Sequence, residues 1–559
     1  MAAIAAKDIA ASESHSRAGT RGVEWGILLL LWGVATAYNL FKAYHIDDTA
    51  HLLIAQSITR DWLHPMSGLL NWSGTDEPIW RTNQPHLYFY LMAAWGRLFG
   101  YSEPAMHALQ SLFSLAAIVL AWRVSRQVLP EHALWATALL VLGPAFIVSQ
   151  NMMVDVPLLA LWLVFYHAVL KCGANGQGRW LLVAALATAA AILVKYSSLV
   201  LLPVLLVCIV MDGRWRYIWV LLVPLGALLG WSAFNWLDYG GIHMLDRQVG
   251  SAGEHPLWFY PLALLGAGMT VLGAIVPLGV IVLAAACRRF VPSAVIWLAT
   301  VLGLVALAVA VKTGAISDTT ADLVLALVFI ANTLLMAVAI GLALLPLASG
   351  RFWSPREIWR EHRQIAILLL WLASTWSFYL LFAPFMAVRH VLLVLLPTIL
   401  LFGVVRSEAL TLGARAWALA FTMALSAGIG LADWQLADHA RREAQRLRAD
   451  IPQGGTLWAH GHWGFQWYTT QEGMPQVDAS RNMMQPGDRL ALGPDMYPSG
   501  FVASDPRLKL LRVDEFGVGS FNPICTGRPA SFYVSTWHFP PWTLSRNCTT
   551  SFRLYEVRQ

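Results

Sequence analysis

Residues 25–41, WGILLLLWGVATAYNLF, hold no charged side chain, and residues 42–48, KAYHIDD, follow at once. An uncharged apolar run of this kind reads as a membrane span. Asp47 and Asp48 then stand where the chain leaves the hydrocarbon, at the head of a long polar loop. Adjacent carboxylates at a membrane surface are costly to desolvate, so they face water, a partner cation or a reaction. They also suit the N-terminus of a helix beginning at Thr49-Ala50-His51-Leu52, where acids meet free amides. Position alone does not separate the cap from the active site.

Composition extends the membrane reading to the whole chain. Of 559 residues, 57% are hydrophobic and only 13% charged, against about a quarter charged in soluble domains. The net charge of +6 is spread over short loops with no basic stripe, so it reflects topology rather than nucleic-acid binding. Apolar runs recur near 25–41, 104–122, 133–150, 156–170, 180–194, 196–211, 217–237, 257–287, 290–311, 323–350, 364–388, 390–405 and 416–432. These predict about thirteen transmembrane helices, several short enough to need polar flanks or local breaks. Between the second and last spans, one set of loops carries fourteen Lys and Arg, from Arg123 to Arg415, and the other only Lys195, Arg247, Lys312 and Arg389. The positive-inside rule then makes the N-terminus cytoplasmic and puts Asp47 and Asp48 outside.

The organisation expected is a cytoplasmic tail at 1–23, a transmembrane catalytic domain at 24–433 and a C-terminal extracytoplasmic α/β domain at 434–559. The tail lacks the apolar core of a signal peptide. Within the first outer loop, 42–103, Asp48–Leu63 is amphipathic and Pro85–Phe99 apolar. Both read as juxtamembrane helices, the second anchored by Tyr88, Tyr90 and Trp95. In the last domain, Ala437–Asp450 reads as a helix, and Thr456–Ala459, Arg489–Leu492 and Ser531–Thr536 read as strands. Cys525 and Cys548, its only cysteines, are candidates for a disulfide in an oxidising compartment.

The outer loops gather groups able to do chemistry. Asp47, Asp48, His51, Arg81, Gln84, His86 and Tyr88 come from the first loop, and Asp155 opens a later span. Lys195 lies in a tight turn, Arg247 and His255 in loop 238–256, and Arg389-His390 at another outward turn. Carboxylates and cations on one membrane face suit a phosphate-bearing substrate and an acid–base step. Each also has a plainer reading: Asp155 before Val156-Pro157 as a helix cap, Lys195 as a snorkelling lysine, Arg389 as a topological anchor. Asp47, His51 and His86 are candidate ligands for a divalent metal ion, although no metal-binding spacing is present. His107 and His167 read as packing residues.

The chain resembles the GT-C glycosyltransferases of the protein O-mannosyltransferase and lipid A aminoarabinose transferase group, glycosyltransferase family 39 and its relatives. The resemblance rests on Asp47-Asp48, Asn83-Gln84-Pro85-His86-Leu87-Tyr88, Phe99-Gly100 through Glu103, Val154-Asp155-Val156-Pro157-Leu158, Leu193-Val194-Lys195, His255-Pro256-Leu257-Trp258 and Arg389-His390-Val391-Leu392. Gly461-His462-Trp463-Gly464 is similar to a segment of bacterial members. The resemblance implies an inverting enzyme of the bacterial inner membrane, using a polyprenyl-phosphate-linked sugar and a lipid, glycan or protein acceptor. It implies Asp47 as the catalytic base, with Asp48 and Asp155 beside it. Lys195, Arg247, His255, Arg389 and Arg81 would then bind the donor phosphate, and Gln84, His86, Tyr88 and His390 the substrate. The chain departs from the group at Asp48, Gln84 and His86, which leaves the sugar and the acceptor open. A lipid-linked glycan ligase or oligosaccharyltransferase and a secondary transporter are the competing classes. The C-terminal domain is expected to position the acceptor, with Gly461–Gly464 either stacking on a sugar or forming a turn around a core tryptophan.

Overall fold

The computed structural model describes residues 22–72, 74–82, 84–175, 177–247, 259–349, 354–481, 483–494, 505–519, 521–525, 532–534 and 540–559. Most of the tail therefore lies outside the described residues. So do His255 and the outer parts of the strand expected at Ser531–Thr536, whose described residues 532–534 are not in a strand.

The first apolar run is a helix, α1, at residues 22–39. The following loop carries α2 (Asp48–Arg60), a hairpin of β1 (Leu69–Asn71) and β2 (Asp76–Pro78), and α3 (Leu87–Phe99). At 13 residues each, α2 and α3 are about 20 Å long and too short to span a bilayer. Of the three expected anchors, Tyr88 is buried, whereas Tyr90 and Trp95 are partly exposed. Tyr90 donates to the Trp62 carbonyl, and Trp95 donates to that of Ala105.

The membrane part continues through α4 (Glu103–Val128), α5 (Ala133–Val141), α6 (Pro144–Ile147), α7 (Asp155–Asn175), α8 (Arg179–Val194) and α9 (Leu201–Met211). There follow α10 (Leu222–Tyr239), the single turn α11 (His243–Asp246), α12 (Phe259–Ile275), α13 (Leu278–Cys287), α14 (Ser293–Thr313) and α15 (Asp318–Ser349). Then come α16 (Pro355–Phe382), α17 (Val388–Val405) and α18 (Leu412–Leu447). Among the described residues, eight helices are long and apolar enough to cross a membrane, or nine if the pair α12–α13, bent by 68°, is one span. The thirteen apolar runs do not become thirteen full-length helices. The run at 133–150 breaks at Gly143-Pro144, where proline removes an amide and clashes with the preceding turn. The run at 257–287 breaks at Pro277. There Asn332 donates to the carbonyls of Gly273 and Val276, both at 2.8 Å, and accepts from the amide of Val280 at 3.1 Å. Irregular backbone at membrane depth survives only with such partners.

Helix α17 lies at the centre, with 83% of its apolar window buried. It packs on α4, α5, α6, α7, α12, α15 and α16. One consequence is decisive for the site: the first turn of α17 and the first turn of α7 stand at the same end of the bundle as the turn after α1.

The composition change at Asp433 is not a break in the chain. Helix α18 runs 36 residues through it and includes most of the charged stretch expected as a separate helix. Beyond α18, β3 (Leu457–His460), α19 (Trp463–Gln471), β4 (Arg489–Leu492), β5 (Leu508–Gly517) and β6 (Thr549–Val557) build a sheet of order β3-β4-β6-β5. Strands β3 and β4 are parallel, which requires a crossover, and α19 supplies it. Strands β5 and β6 were not evident from the sequence, because β5 is a largely exposed edge strand studded with charges. Cys525 and Cys548 form a disulfide, with Cα atoms 5.0 Å apart.

Candidate active site

The turn between α1 and α2 is unusually constrained. Ile46 has φ 53°, in the left-handed region that β-branched residues avoid. Such a conformation costs about 1–3 kcal/mol and persists only where surroundings hold it. It turns the next two carboxylates apart. Asp48 is fully buried and its Oδ2 accepts from the His45 amide at 2.8 Å. Asp47 keeps its side chain 26% exposed and points toward Arg389. Of the two adjacent candidates, Asp48 is turned inward against the His45 amide, and Asp47 is the one that meets Arg389.

Burial raises the Asp48 carboxyl to about 7 from its ordinary 3.8, with the His45 amide, Lys42 and the Met152 amide opposing and Asp47 adding to the rise. Between those two values the folded protein holds a proton that the unfolded chain has lost. Stability owed to this group is thus present below pH 4 and is lost as pH rises toward 7. Asp48→Asn is expected to unfold at a temperature close to wild type at pH 5 and above it at pH 8. A melting difference that does not grow between those pH values would show that Asp48 ionises as it does in the unfolded chain.

Four charges form the centre of the site. Arg389, the second residue of α17, places one guanidinium nitrogen (Nη2) 3.4 Å from Asp47 Oδ2 and Nε 3.9 Å from Asp155 Oδ2. Asp155, the first residue of α7, accepts a 2.9 Å hydrogen bond from Lys195 Nζ. Lys195 is the extended residue that ends α8. The run Asp47–Arg389–Asp155–Lys195 balances two acids with two cations. Asp155 is almost wholly buried, so its charge depends on these two cations. Among the described residues the Nη1 of Arg389 is buried and meets no hydrogen-bond acceptor, so it is a donor still lacking a partner.

The other expected residues divide. Gln84 bonds to His51, whose Nδ1 meets the Met152 carbonyl at 2.7 Å, so both brace the floor of the site. His86 is fully buried between Phe89 and Trp231, and among the described residues neither ring nitrogen finds a hydrogen-bond partner. Tyr88 is buried and donates to Gln110 at 2.5 Å. His390 is sandwiched between Tyr379 and Phe385. Arg247 lies over the Tyr196 ring at 4.9 Å, next in sequence to Lys195. Arg81 is exposed, over Trp80 and 3.7 Å from Glu77, and no contact places it with the four charges. His107 packs on Tyr44, whereas His167 bonds to Gln127 at 2.7 Å.

The candidate metal ligands Asp47, His51 and His86 are not brought together: among the described residues no three His, Cys, Asp or Glu side chains are grouped to hold an ion, and His51 Nδ1 is taken by the Met152 carbonyl. A cavity of about 600 Å³ near the α12–α13 bend is lined, among the described residues, by apolar side chains with Thr300 and Asn332.

A second buried network lies behind the site and was missed in the sequence. Lys42, fully buried, pairs with Asp433 of α18 and donates to Asn151 Oδ1 at 2.7 Å. Tyr533 donates to the other Asp433 oxygen at 2.6 Å, and His45 Nε2 stands 3.6 Å from it. A lysine at the end of a span and a lone acid within a later one were the available signals.

Residues 83–236 match the sequence profile of the family described as dolichyl-phosphate-mannose-protein mannosyltransferase. The chain resembles the GT-C glycosyltransferases of this group. The matched stretch runs from the first outer loop to α10 and contains Asp155 and Lys195, but not Asp47 or Arg389. No curated protein matches the chain. Among solved structures, ArnT from Cupriavidus metallidurans bound to undecaprenyl phosphate is 14% identical, covering 96% of this chain and 98% of that one at a TM-score of 0.44. Oligosaccharyltransferase AglB from Archaeoglobus fulgidus, in complex with an inhibitory peptide and a dolichol-phosphate, is 13% identical, with coverages of 85% and 70% and a TM-score of 0.44.

Proposed function

We propose that this chain is an inverting glycosyltransferase that moves a sugar from a polyprenyl phosphate to an acceptor hydroxyl or phosphate. Its place is the outer face of a bacterial inner membrane, with the C-terminal domain periplasmic. The observation that carries the reading is the arginine shared between a partly exposed carboxylate and a buried one. Asp47 supplies a carboxylate for the proton, with Arg389 beside it and Lys195 reached through Asp155. The fourteen-to-four bias of basic residues between the two sets of loops supports the sidedness. The matched family's dependence on a dolichyl-phosphate sugar supports the donor class.

In the step, the acceptor O–H passes its proton to the Asp47 carboxylate as its oxygen bonds to the anomeric carbon. The bond from that carbon to the phosphate oxygen breaks, and the polyprenyl phosphate leaves with the electron pair. Arg389 Nη1 and the Lys195 ammonium stabilise the charge that develops on the phosphate. A single displacement inverts the anomeric centre. The test is to reconstitute the protein with polyprenyl-phosphate sugars and a panel of acceptors, then read carrier release and product configuration. Release of the monophosphate carrier with inversion is expected. Retention of configuration, or turnover only of pyrophosphate-linked glycans, would move the chain to another class.

A further inference from the structure

Among the described residues only two that are not glycine have positive φ, Ile46 at 53° and Trp463 at 60°. They lie on opposite sides of one contact. Thr49, in the first turn of α2, donates its hydroxyl to the Trp463 carbonyl. The Tyr44 amide donates to the Tyr468 hydroxyl at 2.8 Å, which in turn donates to Glu103 at 2.8 Å. Gly464 lets the two backbones meet: a Cβ there would stand 2.1 Å from the Tyr44 carbonyl oxygen. The turn bearing Asp47 is therefore gripped at Tyr44 and Thr49 by α19 of the C-terminal domain.

The same domain also grips the partner of Asp47. The Val388 amide, one residue before Arg389, donates to the Phe532 carbonyl at 3.0 Å. Next to it, Tyr533 reaches Asp433 and lies edge-on to His45. Both members of the Asp47–Arg389 pair are thus tied to one folded unit whose described residues contribute no charge to the pair.

We propose that the C-terminal domain is a positioning element for the proton-accepting carboxylate, with Thr49 and Tyr468 as positioning residues acting through the strained Ile46 turn. This rests on the reading of Asp47 as the base. Its logic is that a left-handed isoleucine relaxes when its neighbours let go, swinging Asp47 away from Arg389. A misplacement near 1 Å is enough to cost about a hundredfold in rate.

Thr49→Val keeps the shape and removes the hydroxyl; Thr49→Ser restores it. Thr49→Val is expected to lower kcat by about ten- to a hundredfold with KM for donor and acceptor within about twofold, and Thr49→Ser to recover most of it. Tyr468→Phe is expected to behave like Thr49→Val. Hydrogen–deuterium exchange over residues 42–50 of the intact protein should quicken in Thr49→Val, a readout that needs no activity. Arg507→Gln, which disturbs the pair with Asp505 elsewhere in the domain, should leave both readouts unchanged. Wild-type kcat and exchange in Thr49→Val would overturn the proposal, as would a loss that Thr49→Ser does not restore. Quickened exchange together with an active Asp47→Asn enzyme would instead overturn the base assignment and leave the grip standing.

Discussion

Asp47→Asn is expected to give a folded protein that binds donor normally and transfers sugar about 10²–10⁴ times more slowly, the usual cost of removing a general base. The substitution preserves shape, and an amide can still meet Arg389 through its oxygen. Arg389 also retains Asp155, so the donor side of the site keeps its cations. What disappears is the proton acceptor, and among the described residues neither neighbouring carboxylate is poised to replace it. Asp48 is turned into the protein against the His45 amide, and Asp155 is buried and held by Lys195. Separate measurements of donor affinity and single-turnover transfer distinguish the outcomes. A loss of only a few-fold would pass the role to Asp155.

The sequence made the membrane architecture and the polar end of the bundle legible because both depend on local patterns. Uncharged runs and the asymmetry of basic loops need no knowledge of packing. The grouping of Asp47, Asp155, Lys195 and Arg389 was legible for the same reason: each sits at the end of an apolar run on the same side. The division of labour between Asp47 and Asp48 was not, since it depends on one left-handed residue, Ile46. Nor was the pairing of Lys42 with Asp433, which lies 391 positions away along the chain. Read locally, Asp433 marked a change of composition, whereas in the fold it is a buried anchor for the loop before Asp47.

That anchor also changes how the C-terminal domain can be tested. Truncation after Asp433 would cut α18 in mid-course and remove Tyr533, Tyr468 and Gly464 from their contacts with the membrane part. A buried ion pair stripped of its hydrogen-bonding neighbours is strongly destabilised. Loss of transfer by such a fragment would therefore report collapse of the turn as readily as loss of an acceptor site. Single substitutions at Thr49 and Tyr468 avoid this ambiguity.

Arg389→Gln carries the second large effect, and it combines two losses. Removing the guanidinium takes a charge-assisted contact from the donor phosphate, worth roughly 1.5–3 kcal/mol, or about ten- to a hundredfold in donor Kd. It also removes stabilisation of the developing negative charge, so kcat is expected to fall by about 10²–10³ as well. Stability should suffer, because Asp155 is buried and would lose one of its two ion-pair partners among the described residues. Arg389→Lys is not expected to restore function, since one ammonium cannot reproduce the fork that now reaches Asp47 and Asp155 while leaving Nη1 free. Lys195→Gln should show the same combination, with a larger drop in melting temperature because its bond to Asp155 is the shorter one. Arg247→Gln should raise KM for the donor and change kcat little, given its place over Tyr196 beside the four charges rather than among them. Donor affinity and melting temperature measured on the same preparations separate binding from folding. If Arg389→Gln kept wild-type donor affinity, the phosphate would have to bind closer to Arg247 or Arg81, and the shared arginine would serve only to hold the two carboxylates together.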